Sequence, residues 1–204
     1  MLRGNNICKV YGKQNVLNNI DIKLNKGEIV ALIGINGSGK TTLLDILALA
    51  QRSDSGNIYI DDELASDDNK DKMRKKIAYV PQDVALFEEL SVKENLLCWS
   101  KLSKEETLKR IEELEPYFNL QEMYSKKITK LSGGMKRRIN FAVALLGEYD
   151  YMILDEPLAG VDQENTDRMV GFLKNERDKG KGILITGHER LLITTYADRI
   201  INLD

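Results

Sequence analysis

The stretch from Leu32 to Leu44, LIGINGSGKTTLL, constrains this chain more than any other. An apolar run, Ile29 to Ile33, enters a loop with glycine at 34, 37 and 39, and Lys40, Thr41 and Thr42 follow. Gly34 to Thr41 fits G-x-x-x-x-G-K-[ST], a loop that cradles phosphate between a buried strand and a helix. The residue types follow from that task. Glycines let the backbone turn tightly and bring N–H groups against phosphate oxygens. The helix that starts near Gly39 aims its positive dipole end at the same anion. Lys40 adds a cation for the β- and γ-phosphates, and the Thr41 hydroxyl is a ligand type for Mg²⁺. Alone, such a segment reads as a Gly-rich turn with a surface lysine. The strand before it and the helix after it select the phosphate reading.

Composition narrows the partners. The chain has 204 residues, enough for one domain with a substantial core. Its 30 basic and 32 acidic residues leave a net charge of −2, which gives no sign of a nucleic-acid surface. Cys8 and Cys98 lie far apart without metal-type spacing, so a reduced cytosolic compartment is expected. No apolar run approaches the roughly 18–20 residues needed to span a bilayer. The start, MLRGNNICKVYG, has no secretory apolar region.

Along the chain, Ile7–Tyr11 and Ile20–Leu24 read as strands, and Asn25-Lys26-Gly27 as a tight turn. Tyr11, before the turn at Gly12, reads by itself as a strand-end aromatic. Glu28–Ile33 reads as a central strand covered on both faces. The helix after the loop runs to about Ala50. Asn57–Ile60 is a strand, Asp61–Lys76 a solvated loop and helix start, and Ile77–Val80 a strand that ends at Pro81-Gln82. Ser91-Val92-Lys93-Glu94 and Ser103-Lys104-Glu105-Glu106 are capping-box sequences that open helices. Residues 91–127 thus read as a small helical subdomain inserted between strands. Trp99, within it, reads as packing, or if exposed as a contact for a partner groove. Leu131-Ser132-Gly133-Gly134 opens a further helix, Met135–Leu146. Lys136, Arg137 and Arg138 in its first turn oppose the helix dipole, an arrangement that suits an incoming anion. Asp150–Leu154 is a buried strand ending in Asp155-Glu156-Pro157, and ligand chemistry in such sheets sits at the carboxyl ends of strands. A helix over Gln163–Lys179, a strand over Gly182–Thr186, His188, a helix over residues 189–196 and a strand over Arg199–Leu203 complete the chain.

Taken together, these stretches resemble the ATP-binding subunit of an ABC transporter, in the right order and over the whole chain. Gly34 to Thr41 matches the Walker A loop, Gln82 the Q-loop glutamine, and Leu131 to Gly134 the LSGG signature. Tyr151 to Glu156 matches Walker B, Gly160 to Asp162 the D-loop, and His188 the switch histidine. The resemblance implies an α/β fold: a P-loop NTPase with a mixed, mainly parallel sheet, an antiparallel β subdomain and an inserted helical subdomain. It implies a single domain over residues 1–204. About 1–90 and 150–204 form the RecA-like core, and about 91–149 the helical subdomain with the signature. ATP and Mg²⁺ are the implied ligands. Tyr11 is then expected to stack on adenine. Gly34, Asn36, Gly37, Ser38, Gly39, Lys40, Thr41 and Thr42 are expected to hold the phosphates. Thr41, Gln82 and Asp155 would complete the metal shell, partly through water. Glu156 is the expected general base, and His188 would contact the γ-phosphate and orient the water. Ser132, Gly133 and Gly134 would face the γ-phosphate held by a second ABC subunit, in a homo- or heterodimer that sandwiches two ATP molecules.

Met135 departs from the glutamine common at its position. The SGGM sequence with following basic residues, and the stretch from Ala85 to Leu96, resemble the branch that serves drug, peptide or polysaccharide exporters. The implied role is to energise a separate transmembrane permease from the cytoplasmic side, peripheral to the membrane, with Ala85–Leu90 as candidate contacts. A soluble ABC-type ATPase acting in assembly or cell division without transport is the rival reading. An unrelated GTPase would need N-K-x-D, and Asn69-Lys70-Asp71-Lys72 fails at its last position.

Overall fold

A computed structural model describes residues 1–187 and 195–203. Its strands are β1 (Leu2–Tyr11), β2 (Gln14–Leu24), β3 (Ile29–Ile33), β4 (Ser55–Ile60), β5 (Glu63–Leu64), β6 (Ile77–Val80), β7 (Tyr151–Leu154), β8 (Gly182–Ile185) and β9 (Arg199–Asn202). Its helices are α1 (Lys40–Leu47), α2 (Lys70–Arg74), α3 (Val92–Trp99), α4 (Lys104–Phe118), α5 (Gly133–Ala144) and α6 (Gln163–Asp178).

The strands form two sheets. One is antiparallel, in the order β2-β1-β4-β5, and the other has five strands in the order β6-β7-β8-β3-β9. Every neighbour pair in the second sheet is parallel. β3, β7 and β8 are buried at every position, as strands covered on both faces must be. Their alternate residues serve two cores. Val30, Leu32, Ile153 and Leu184 join α1 and the antiparallel sheet. Ile29, Ala31, Met152, Leu154, Ile183 and Ile185 join the helices between β6 and β7, together with α6.

Those intervening helices start as their sequences dictate. Ser91 and Ser103 each cap their helix, and Glu94 and Glu106 reach back to the cap N–H, so both capping boxes close. Phe118, Phe141 and Phe172 meet edge to face, with centroids 5.2 to 6.2 Å apart, and join α4, α5 and α6.

The hairpin β1–β2 is longer than the sequence pattern suggests. Its register shifts between Gly4 and Ile7, between Ile7 and Lys9, and again between Lys9 and Val10. Asn6 (φ 51°) and Asn19 (φ 54°) adopt left-handed backbone there. Bulges of this kind interrupt the two-residue alternation by which a strand is read. The expected helix over residues 189–196 falls mostly outside the described residues.

Candidate functional site

The parallel sheet gathers the predicted site at one edge. In its order, β6, β7, β8 and β3 are consecutive neighbours. Gln82 follows β6, Asp155 and Glu156 follow β7, Thr186 follows β8, and the loop from Gly34 to Gly39 follows β3. All leave the carboxyl ends of their strands, where a parallel sheet offers a crevice.

The loop is shaped by its glycines. A Cβ on Gly34 would lie 2.6 Å from the Leu203 carbonyl oxygen, so the backbone passes too close for any side chain. Gly37 and Gly39 have φ of 83° and 92°, in the left-handed region that glycine occupies without strain. Gly39 is the N-cap of α1, and no side chain caps the helix and no acidic residue stands in its first turn. The helix therefore presents its positive end without an internal anion. Lys40 folds back over the loop, donating to the Gly34 and Ile35 carbonyl oxygens at 2.9 Å each. The Ser38 hydroxyl is buried without a hydrogen-bond partner among the described residues. Tyr79 of β6 donates to Asp45 of α1 at 2.5 Å and so ties the helix to the sheet. Burial and that carboxylate push the Tyr79 phenol far above its ordinary pKa.

Across the sheet edge, Asp155 is buried. Its Oδ1 accepts from the Thr186 hydroxyl at 2.6 Å, while its Oδ2 is buried with no hydrogen-bond partner among the described residues. An anionic oxygen in that state needs a cation or water. Oxygen donors suit a hard divalent ion, so Asp155 Oδ2 and the Thr41 hydroxyl fit Mg²⁺ chemically. Glu156 has φ of 50°, left-handed for a residue with a side chain. The Thr186 Oγ1 accepts from the Glu156 N–H at 3.0 Å and holds this turn. Gln82 Nε2 donates to Glu156 Oε2 at 3.3 Å. Strained backbone held by specific contacts is common at sites of chemistry.

Ser132, at the start of α5, accepts from the Met135 N–H at 3.3 Å and is the helix N-cap. A Cβ on Gly134 would lie 2.3 Å from the Gly160 carbonyl oxygen, whereas Gly133 has open space around it. Gly134 therefore lets α5 press against the loop after Glu156. Asp162 caps α6, accepting from the Asn165 N–H at 3.0 Å. Hydrogen bonds from Asn165 hold its carboxyl below the usual carboxylate range.

The basic triplet of α5 is used differently from the sequence expectation. Arg137 donates to the Gln82 carbonyl oxygen, and Lys136 lies 3.7 Å from Glu88. Arg138 is buried and donates to Asn165 Oδ1 at 2.6 Å. These cations tie α5 to the Gln82 loop and to α6 rather than waiting for an anion. Their neighbours are distant in sequence, which local charge patterning cannot show.

Tyr11 is 48% exposed at the tip of the β1–β2 hairpin. Its hydroxyl accepts from Gln51 Nε2, and Lys9 Nζ lies 5.6 Å from its ring centroid. His188 lies outside the described residues. Thr186 and Asn165 were not singled out by sequence, and Arg137 was read only as part of an anion-receiving triplet. Only the polar end of the GILIT run marked Thr186 as unusual.

A glycine-shaped anion cradle at an uncapped helix, beside a strand-end carboxylate pair, defines a P-loop nucleotide-binding protein. The intervening helices and their glycine-led α5 make it a particular one. The ABC transporter family model matches residues 17–159, and the chain belongs to that family. It is 36% identical over 203 residues to the linearmycin resistance ATP-binding protein LnrL of Bacillus subtilis, which covers 98% of this chain and 65% of LnrL. It is 35% identical over 192 residues to the lipopolysaccharide export system ATP-binding protein LptB of Escherichia coli K12, covering 92% of this chain and 80% of LptB. Among solved structures, it is similar to the ATP-binding cassette MJ0796 in a dimeric post-hydrolysis state bound to ADP and Pi. That match has a TM-score of 0.89 and 28% identity, and covers 100% of this chain and 94% of the other.

Proposed function

We propose that this chain binds ATP with Mg²⁺, hydrolyses it, and thereby drives a separate membrane permease in export. The observation that carries this reading is the buried Asp155 Oδ2, without a hydrogen-bond partner among the described residues, beside Glu156 at the sheet edge that also carries the glycine cradle. The name of LptB, an ATP-binding protein of a lipopolysaccharide export system, supports the export direction.

In this reading Lys40 leaves the Gly34 and Ile35 carbonyls for the β- and γ-phosphates, and the loop amides at the start of α1 hold phosphate oxygens. Thr41 and Asp155 would hold the Mg²⁺, and Gln82 would complete the shell. Bound there, the ion supplies positive charge to the phosphate oxygens. Glu156 accepts a proton from the attacking water, oriented by His188. Gln82 would offer its amide Oε1 to the ion, while its Nε2 donates to Glu156 Oε2. Tyr11 stacks on adenine, exchanging its Gln51 bond if the base requires it. Ser132, Gly133 and Gly134 close over the γ-phosphate of a second cassette, and hydrolysis with product release reopens the pair. No described helix is long and apolar enough to cross a membrane.

The test is size-exclusion chromatography of Glu156→Gln with and without Mg-ATP, alongside its hydrolysis rate. The expected result is a dimer only with ATP and hydrolysis reduced by about 10²–10⁴-fold, the usual worth of a positioned base. Near-normal turnover removes Glu156 from the role. A monomer under both conditions makes closure depend on the permease or on a different second cassette. The soluble-ATPase rival is separated by sedimentation: a transport subunit travels with native membranes, an assembly factor without them.

A further inference from the structure

The tip of the β1–β2 hairpin is held by strand pairing on one side only. β1 pairs with β2 as far as Tyr11 and Gln14, whereas its pairing with β4 ends at Cys8 and Ser55. Lys9, Val10 and Tyr11 therefore run past the end of the β4 ladder. The chain just before β4 takes the place of the missing strand. The Asp54 N–H donates to the Cys8 carbonyl oxygen at 2.9 Å, and Asp54 Oδ2 accepts from the Val10 N–H at 2.7 Å. Asp54 Oδ1 accepts from Lys9 Nζ at 2.8 Å, and the same ammonium donates to the Arg52 carbonyl oxygen at 2.9 Å.

These contacts set the Tyr11 ring. The Lys9 side chain is only 13% exposed, and its Nζ lies over the ring, 5.6 Å from the centroid. A cation at this distance is drawn to the ring face. With one face taken by Lys9, the half-exposed ring has its other face to offer. The same hairpin reaches the phosphate loop, since a Cβ on Gly39 would lie 3.0 Å from the Val16 carbonyl oxygen. The segment that carries Asp54 is tied to the far end of α1. The Ala50 and Gln51 N–H groups both donate to the Asp45 carbonyl oxygen, at 2.9 and 3.1 Å. Tyr11 is thus referenced to the phosphate loop twice, through β2 and through α1. A ring fixed in advance gives up no rotamer freedom when a base stacks on it, and such preorganisation adds affinity.

We propose that Asp54, acting through Lys9 and the Val10 backbone, is the positioning residue for Tyr11, and that it sets how much this site favours a nucleotide over a bare triphosphate. The proposal rests on the reading above in which Tyr11 stacks on adenine, and adds the residues that hold the ring for it. Asp54 itself touches no part of the nucleotide in this assignment. Stacking is tolerant of which base is stacked, because every base has a π-face. Asp54 therefore selects nucleotides as a class and does not tell adenine from guanine. The Asp54 side chain is 46% exposed, and an ion pair in that position adds little to stability by itself. Its removal is expected to act on binding while the fold persists.

The test is steady-state hydrolysis of ATP and of GTP by the unmodified chain, Asp54→Ala, Tyr11→Ala and the double variant, with Mg-tripolyphosphate as a competing inhibitor. Asp54→Ala is expected to raise KM for both nucleotides about tenfold with kcat unchanged, the mark of lost ground-state binding. The inhibition constant of tripolyphosphate, which has no base, is expected to stay the same in every variant. Tyr11→Ala is expected to raise KM at least as much. Adding Asp54→Ala to it should give no further rise, because a residue that acts through the ring then has nothing to act on. Asp54→Asn keeps an acceptor for the Val10 N–H and loses the charge that holds Lys9. It is expected to give a smaller rise, and it carries the test if Asp54→Ala does not fold. Three results overturn the positioning role and leave the stacking reading in place: additive effects in the double variant, weaker inhibition by tripolyphosphate, or a KM that Tyr11→Ala raises and neither Asp54 variant moves. If Tyr11→Ala itself leaves KM unchanged, the stacking reading falls and this proposal with it.

Discussion

Asp155 and Glu156 are neighbours in the chain with different surroundings. Asp155 is fixed through one oxygen and its other has no hydrogen-bond partner among the described residues, while Glu156 is turned by left-handed backbone toward Gln82. Thr186 serves both, donating to Asp155 Oδ1 and accepting from the Glu156 N–H. Thr186→Val keeps the shape and removes both bonds. Stranding these buried groups is expected to cost about 1–3 kcal/mol, read as a lower urea midpoint, with ATP hydrolysis falling alongside. Native stability and turnover in that variant would remove Thr186 from the site. The cradle glycines, Lys40 and the carboxylate pair were legible in sequence because their spacing is itself the chemical requirement. The roles of Thr186 and Arg137 were not, because each works through a contact with a residue far away in the chain.

The elements read best from sequence were those whose start signals are local. Ser91 with Glu94 and Ser103 with Glu106 lie within one helical turn, and both boxes close as their sequence predicts. Ser103→Ala is expected to destabilise the protein by about 1 kcal/mol, measured by urea unfolding. A change near zero would mean that α4 starts on packing alone. The β1–β2 hairpin was read less well, since three register shifts and the Asn6 and Asn19 backbones break the alternation on which strand reading depends. α5 shows a third case. Its glycines were read as an anion site, yet Gly134 is also demanded by the Gly160 carbonyl pressing on it. Arg138 joins the same helix to Asn165, which in turn donates to Asp162, so the signature segment and the cap of α6 are connected. A displacement of either segment is therefore felt by the other.

At the scale of the molecule, two sheets must be held together as well as packed. Their shared core follows from buried strands with two apolar faces, which sequence shows plainly. The polar junction between them does not show. Asp61, just after β4, accepts from Lys76 at 2.8 Å and from Tyr151 at 2.6 Å, at the amino ends of β6 and β7. Burial raises the Asp61 carboxyl pKa. Bonds from Lys76, Tyr151 and the Met1 ammonium, with the charge of Lys26, outweigh it and hold the carboxyl well below the usual range. A carboxyl depressed on folding stabilises fully above its unfolded pKa of about 4, and this contribution is lost as acid protonates it. Asp61→Asn is thus expected to be less stable at neutral pH by about 1–3 kcal/mol. The gap should narrow as pH falls below about 4. A gap independent of pH in urea titrations would show that charge at Asp61 is not what joins the sheets.

The left-handed backbone at Glu156 has a consequence for how this protein can be improved. Glycine tolerates φ of 50° freely, and alanine does not. Both substitutions delete the carboxylate, so their difference isolates the backbone. Glu156→Gly is expected to be more stable than Glu156→Ala by about 1 kcal/mol in urea unfolding, with both inactive in ATP hydrolysis. Equal stabilities would mean that the turn is unstrained. With Glu156 as the base proposed above, glycine here would give a hardier protein one codon away at the expense of hydrolysis, so selection for robustness and demand for turnover would pull this position in opposite directions.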